Sequence, residues 1–274
     1  MKKKIMAILA SAMMCVGLCG CGNKNGASDW DYIKNKGTLV VGITYNMPMN
    51  YKDDSGELTG FETEFTTAVC EKLGVKPEFQ LIEWGKKEME LKSKNIDLVW
   101  NGLTVTEDRK KEFLFSTSYL KNKQVTIVKK ENADKYPDTK AMTDIKIAFE
   151  GGSAGMDIVK EIKNVEYDED LTGMSDAVNC EAQVNALIEV KAGKVDACIV
   201  DYTLGHALTK EGSDYDDLVV LENIPNTDEE YAIGARMEDT ETIKKINEII
   251  DELAKDGTLK ALAEKYDLTD ALLV

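Results

Sequence analysis

Hydrophobic and polar positions change period repeatedly along the 274-residue chain, and the changes predict alternating strands and helices. Leu39-Val40-Val41-Gly42-Ile43 is a continuous apolar run of strand length, the kind that is buried on both faces. Gly60-Phe61-Glu62-Thr63-Glu64-Phe65 then opens an amphipathic helix that runs through Leu73, with Gly74 placed to cap its C-terminus. A strand near 77–82, a helix near 86–93 and a strand at 96–100 follow. The pattern restarts with a strand at 145–149, helices at 155–163 and 181–191, a strand at 197–200 and a helix from about Tyr202. The chain ends in a helix at 240–255, a stop at Asp256-Gly257 and a last helix at 259–266. Alternation of this kind favours an α/β architecture. The length is near the limit at which one core splits, so two α/β units with a cleft between them are expected.

The first residues follow a different logic. Met1-Lys2-Lys3-Lys4 is cationic, and the apolar run from Ile5 to Leu18 is too short for a comfortable membrane span. Residues 1–20 therefore read as a signal peptide. Leu18-Cys19-Gly20-Cys21 resembles the site cut by lipoprotein signal peptidase, where a small residue precedes the cysteine that is lipidated. Cys21 satisfies that requirement, whereas Leu18 precedes Cys19 and Met14 precedes Cys15. The polar stretch after Cys21, taken as 21–28, reads as a lipid-anchored tether. No later segment is long and apolar enough to cross a bilayer. These features place the chain on the outer face of the cytoplasmic membrane, where two acyl chains hold firmly and one does not.

The formal net charge is −16, and loss of the leader's three lysines makes it −19. That excess of acid repels nucleic acid and anionic lipid surfaces, although one site within it can still be positive. Of six cysteines, Cys15 and Cys19 leave with the leader and Cys21 takes lipid. Cys70, Cys180 and Cys198 remain, too few and odd in number for a disulfide framework, with a Cys180–Cys198 bridge left open. No motif calls for a cofactor or a metal, and a monomer is expected.

Three segments carry the chemistry that a small zwitterion demands. Removing an amino acid from water requires partners for both its carboxylate and its ammonium. Asn101-Gly102-Leu103-Thr104-Val105-Thr106-Glu107-Asp108-Arg109 leaves the end of a strand, where ligands bind in open α/β sheets. Gly102 permits close backbone approach, Thr104 offers a hydroxyl and Thr106 an N-cap, and Arg109 is either an anion clamp or a solvated neighbour of Lys110 and Lys111. Glu150-Gly151-Gly152-Ser153-Ala154-Gly155 joins a strand to a helix, whose N-terminus suits an anion. No Gly-Lys-Ser/Thr follows, so it is not a nucleotide loop. Asp201, at the end of a strand, either receives an ammonium or caps the next helix.

These segments together resemble the family 3 extracellular solute-binding proteins, the amino-acid receptors of ABC importers. The resemblance rests on Gly60-Phe61-Glu62-Thr63-Glu64-Phe65, the stretch from Asn95 to Arg109, Phe115-Ser116-Thr117-Ser118-Tyr119-Leu120, the stretch from Gly193 to Asp201, and Asp256-Gly257-Thr258-Leu259. It implies a two-lobe type II periplasmic-binding-protein fold with two interlobe crossovers. Lobe one would take 29–122 and the return segment 231–274, and lobe two 123–230. It further implies that Arg109 clamps the α-carboxylate, helped by N–H groups near Thr104, Gly152 and Ser153. Asp201 and the Gly102 carbonyl would hold the ammonium, Asn101 would stand beside Gly102, Trp84 would face the ligand side chain, and Asn46 or Tyr45 would cover it. Thr44 and Tyr45 stand where receptors of cationic amino acids often carry an acid, which favours a neutral polar or sulfur-containing ligand. The permease subunits of an ABC importer are the implied protein partner.

Exported dehydratases of prephenate or arogenate resemble the same family. Such an enzyme needs a general acid, and Glu62, Glu83 and Glu150 are the candidates. A sensor domain would need a membrane helix in the same chain. His206, the only histidine, is expected to face solvent, Trp100 the core, and Trp30 the first helix. Met47 and Met49 either line the site or pack the loop around Pro48.

Overall fold

The computed structural model describes residues 28–166, 171, 174–222, 224–225 and 227–274. The leader and Cys21 lie outside the described residues. In chain order the first elements are α1 (Asp29–Lys36), β1 (Thr38–Ile43), β2 (Tyr51–Lys52), β3 (Leu58–Thr59), α2 (Phe61–Leu73) and β4 (Lys76–Leu81). Next come α3 (Lys87–Lys92), β5 (Leu98–Val99), β6 (Leu114–Phe115), β7 (Leu120–Asn122) and β8 (Gln124–Lys129). The middle holds β9 (Ile147–Glu150), α4 (Ala154–Lys163), β10 (Ala177–Cys180), α5 (Gln183–Lys191), β11 (Ala197–Asp201), α6 (Tyr202–Leu208) and β12 (Leu218–Leu221). The chain closes with β13 (Glu229–Tyr231), β14 (Gly234–Ala235), α7 (Thr240–Lys255) and α8 (Thr258–Lys265).

Two five-stranded sheets result, ordered β4-β1-β5-β14-β6 and β10-β9-β11-β8-β12. In the first, β1 lies parallel to β4 and β5, while β14 is antiparallel to β5 and β6. In the second, β9 lies parallel to β10 and β11, and β8 is antiparallel to β11 and β12. The chain passes between the sheets twice, and the two passages pair with each other: β7 and β13 are antiparallel, with Leu120 opposite Tyr231 and Asn122 opposite Glu229. β14 and β6, late and early in sequence, share the first sheet, so that half is built from two separate stretches, whereas β8 to β12 form the second from one.

Both faces of each sheet are covered, which explains the unbroken apolar runs of β1 and β11. One face of the first sheet packs Phe61, Phe65 and Val69 of α2 with Ile246, Ile250 and Leu253 of α7. Those last three recur at helical spacing and make α7 strongly amphipathic. The other face holds Trp84, Leu91, Ile96, Val99, Leu103 and Phe113. α2 ends where expected, at Gly74, whose left-handed backbone (φ 70°) lets its N–H reach the Cys70 carbonyl. The predicted helix at 86–93 instead begins as a 3-10 turn, Trp84–Lys86, before α3. Gln124–Lys129 is a strand that periodicity did not reveal, and β5 is shorter than the apolar run 96–100 that suggested it.

Candidate ligand-binding site

Ends of β5, β9 and β11 face one another across the cleft, and each delivers a side chain named from sequence. Asn46, Trp84, Asn101, Gly102, Thr104, Arg109, Glu150, Ser153, Ala154, Gln183 and Asp201 line a single cavity. Its free volume is ≈ 10 Å³, room for about one water. That space is too small for an amino acid as the cleft stands.

On the first-sheet side the backbone of 102–104 is shaped by Glu62. This carboxylate is fully buried and accepts the Gly102 N–H on both oxygens at 2.9 and 3.0 Å. It also accepts Asn50 Nδ2 at 3.0 Å and the Tyr119 hydroxyl. Tyr119 packs edge-on to Phe65, and Phe65 edge-on to Trp100 at 4.8 Å, so the loop is tied directly to the aromatic core. Gly102 has φ 57°, and a Cβ there would lie 3.2 Å from the Tyr231 ring; glycine meets both demands. Burial pushes the Glu62 carboxyl up to about 7, against the lowering effect of these donors.

Beyond Gly102, Leu103 and Val105 make the backbone bonds to Ala232 and Glu230. Thr104 sits between them with its own carbonyl turned the other way, as ladder alternation requires. There it accepts Arg109 Nη1 at 2.9 Å. Arg109 is held by a turn in which the Thr106 hydroxyl accepts its backbone N–H at 3.1 Å. The guanidinium is nine-tenths buried, so it is a lining group and not one of the solvated lysine-rich neighbours. Its Nη2 reaches across the cleft to the Gly152 carbonyl at 3.1 Å.

On the opposite side Asp201 ends β11. It occupies the N-cap position of α6 but makes no capping bond. Its carboxylate accepts Gln124 Nε2 at 2.6 Å, Asn122 Nδ2 at 3.0 Å and Gln183 Nε2 at 2.5 Å. Burial raises its pKa while those amides oppose the rise. Glu229 accepts from the same Asn122 and Gln124 amides and from Thr104 Oγ1, and burial with the Asp201 charge pushes its carboxyl up to about 7. Ser153 caps α4: its hydroxyl accepts the Met156 N–H and donates to the Glu150 carbonyl.

Several alternatives that the sequence left open fall into place. Tyr45 is 40% exposed, with its ring beside Lys52, and does not join the cavity; Asn46 does. Asn101 lines the cavity, but its amide is committed to Thr44 and Asn50. Met49 is core and not site. Cys180 and Cys198 are free thiols. Of the three acids considered, Glu83 is exposed and paired with Lys86, Glu62 lies behind Gly102, and only Glu150 faces the cavity. His206 faces solvent and Trp100 the core, as the sequence suggested.

Sequence reasoning missed Gln183, Gln124, Asn122, Glu229 and Lys87. Lys87 is almost wholly buried, lies over the Trp84 ring, and donates to the Gly152 carbonyl at 3.0 Å. Burial and the Arg109 charge pull its pKa down to about 8. A larger cavity of ≈ 490 Å³, beside Tyr202, His206 and Tyr266, has no comparable set of converging buried charges.

Residues 39–269 match the family described as bacterial extracellular solute-binding proteins, family 3. The chain belongs to that family. The L-cystine-binding protein TcyJ of Escherichia coli (strain K12) is 30% identical over 276 residues, covering 97% of this chain and 95% of TcyJ. A substrate-binding protein of an ABC uptake transporter from Streptococcus pneumoniae, solved with bound histidine, matches with a TM-score of 0.77 at 31% identity over 87% of this chain and 96% of that one. The ancestral amino-acid-binding protein AncCDT-1, described as a precursor of cyclohexadienyl dehydratase, matches with a TM-score of 0.76 at 30% identity over 87% and 99%. The fold of this family 3 member is accordingly the two-lobe type II periplasmic-binding-protein fold, and the protein is a solute-binding protein.

Proposed function

We propose that the protein captures one free L-amino acid between its lobes and delivers it to the permease of an ABC importer. Lobe one comprises 29–122 and 231–274, lobe two 123–230, and Cys21 carries the lipid that keeps the protein at the outer face of the cytoplasmic membrane. The observation that carries the reading is that Arg109, on the turn that follows β5 of the first sheet, and Asp201, at the end of β11 in the second, line the same buried cavity. A guanidinium and a carboxylate so placed pair both charges of a zwitterion, and neither lobe alone can do it. The Gly102 carbonyl is the second acceptor for the ammonium, and N–H groups at Thr104 and the start of α4 assist the carboxylate. Trp84 bounds the side chain, and a sulfur-containing ligand accords with the cystine binding named for TcyJ.

A panel of amino acids including L-cystine, scored by thermal shift, tests this. Ligand at about a thousandfold over Kd adds roughly 4 kcal/mol of stability. No shift from any of them at millimolar concentration refutes amino-acid capture.

One observation favours a second reading, a dehydratase. Glu150 lines the cavity with its carboxyl pushed up to about 8, chiefly by burial, and a protonated carboxyl there is what a general acid requires. Prephenate or arogenate turnover, followed by mass spectrometry, separates catalysis from capture.

A further inference from the structure

Arg109 and Asp201 suffice for the two charges of an amino-acid head, yet the cavity wall holds a third ionisable group. Glu150, the last residue of β9, is 3% exposed and lines the same cavity. Structural duties do not account for its carboxyl. Ser153 caps α4 and bonds the Glu150 main-chain carbonyl, leaving the side chain out of the cap. The nearby cations are directed elsewhere: Lys87 donates to the Gly152 and Trp84 carbonyls and pairs with Glu88 at 3.2 Å, and Arg109 donates to the Thr104 and Gly152 carbonyls. Among the described residues Glu150 makes no ion pair within 4.0 Å, and the Gln183 amide lies close enough to favour its anion. That amide also serves Asp201, so one glutamine stands between two buried acids.

Two carboxylates held together away from water repel, and each is costly to ionise. A cation between them removes the repulsion; a neutral ligand side chain does not. We propose that Glu150 is a specificity-determining residue that receives a second cationic nitrogen of the ligand, beyond the α-ammonium held by Asp201. The ligand class is then an amino acid with two protonated nitrogens. Two sources offer that chemistry: the second head of a disulfide-linked diamino acid such as cystine, and the side chain of a basic amino acid. The inference rests on the capture reading above and adds the substrate class to it.

The charge of Glu150 gives a readout that a structural role would not. The groups facing it are Asp201 of β11, Gln183 of α5, Lys87 of α3, Arg109, and the Cys180 thiol of β10. With its carboxyl pushed up to about 8, Glu150 is mostly protonated at pH 7 in the ligand-free protein. A cation arriving beside it favours the anion, so a proton leaves on binding.

Isothermal titration calorimetry on the full-length protein compares L-cystine, L-arginine and L-lysine with L-cysteine and L-serine, in two buffers of different ionisation enthalpy. The wild type should bind at least one of the first three at least about tenfold tighter than either of the last two, with proton release at pH 7. Glu150→Gln should weaken that ligand by about thirtyfold or more, abolish the proton release, and leave cysteine and serine within about threefold. Glu150→Asp should recover part of the loss. Preference for cystine or for arginine and lysine tells the two sources apart, and either supports the proposal. Equal weakening of every amino acid by Glu150→Gln, or tight binding of cystine or arginine by that variant, overturns it. If amino acids bind but the single-nitrogen ones win, the substrate class alone is wrong; if none binds, the capture reading falls with it.

Discussion

Arg109 and Gly152 meet across the cleft: the guanidinium, anchored behind β5, donates to the carbonyl that follows β9 at 3.1 Å. The same carbonyl accepts Lys87 at 3.0 Å. Two buried cations of the first lobe thus converge on one main-chain oxygen of the second. Gly152 makes the approach possible, since a Cβ there would lie 2.8 Å from the Gly85 Cα and its φ of 74° disfavours any side chain. Arg109 is therefore both the proposed carboxylate clamp and a bond between the lobes.

Arg109→Ala should lower amino-acid affinity about a hundredfold or more, because a buried carboxylate then lacks its fork. Arg109→Lys should recover only part, since a point charge cannot hold Thr104, Gly152 and a carboxylate in one plane. An esterified amino acid should reproduce the deficit on the wild type. Calorimetry decides, and binding within a few-fold of wild type would show that the clamp is misplaced.

Asp201→Ala should cost affinity to a similar degree, and N-acetylation of the ligand should mimic it. It has a second consequence, for the amides gathered around the carboxylate. Three amides, from Asn122, Gln124 and Gln183, lose their shared acceptor. The ligand-free protein should lose about 1–3 kcal/mol, the cost of stranding buried donors. Urea unfolding without ligand measures this, and an unchanged midpoint would mean the amides find other acceptors.

The anchor is tested separately. Cys21→Ala should release the protein from the membrane fraction or leave it unprocessed, with ligand affinity unchanged. Retention of a correctly cleaved variant on the membrane would refute lipidation at Cys21.

The residues legible in the sequence are those whose type and local spacing carry their own warrant. Gly102 and Arg109 stand at a strand end in a glycine-to-arginine stretch, and Asp201 closes an apolar run; all three line the cavity. Gln183 and Gln124 carry no such mark, because an amide donor is interchangeable with any surface glutamine until the fold places it against an acid. Lys87 is one of 34 basic residues, and nothing in its helix distinguishes it from the exposed Lys86 beside it. Tyr45 and Asn46 were indistinguishable for the opposite reason: they are adjacent, and a strand end turns one inward and the other to solvent. Periodicity located the long elements, such as α2 and α7, where many residues vote. It missed β14, whose two residues contribute to the first sheet only because β13 returns the chain there.

Glu62 gives a pH test of the loop that presents Gly102. Its carboxyl is fully buried and pushed up to about 7, whereas in the unfolded chain it has the ordinary value of 4.5. The folded protein thus holds this proton more tightly than the unfolded one. The resulting stability is complete below pH 4.5 and is lost as pH rises through about 7. A difference of that size carries about 3 kcal/mol. Glu150, pushed up to about 8, and Glu229, up to about 7, act in the same direction. Lys87, pulled down to about 8, acts in the opposite direction, but only as pH rises from there toward its usual 10.5. Between pH 5 and 8 the ligand-free protein should therefore lose thermal stability steadily. Glu62→Gln should flatten that decline by its share. It should also start lower at pH 5, because the Gly102 N–H donates to both carboxyl oxygens, and an amide nitrogen in either place faces that donor. Scanning calorimetry at fixed ionic strength measures both slopes. A variant as steep as the wild type would mean that Glu62 stays ionised in the fold, held by Gly102, Asn50 and Tyr119, and that the Gly102 N–H is fixed by an anion and not by a neutral acid.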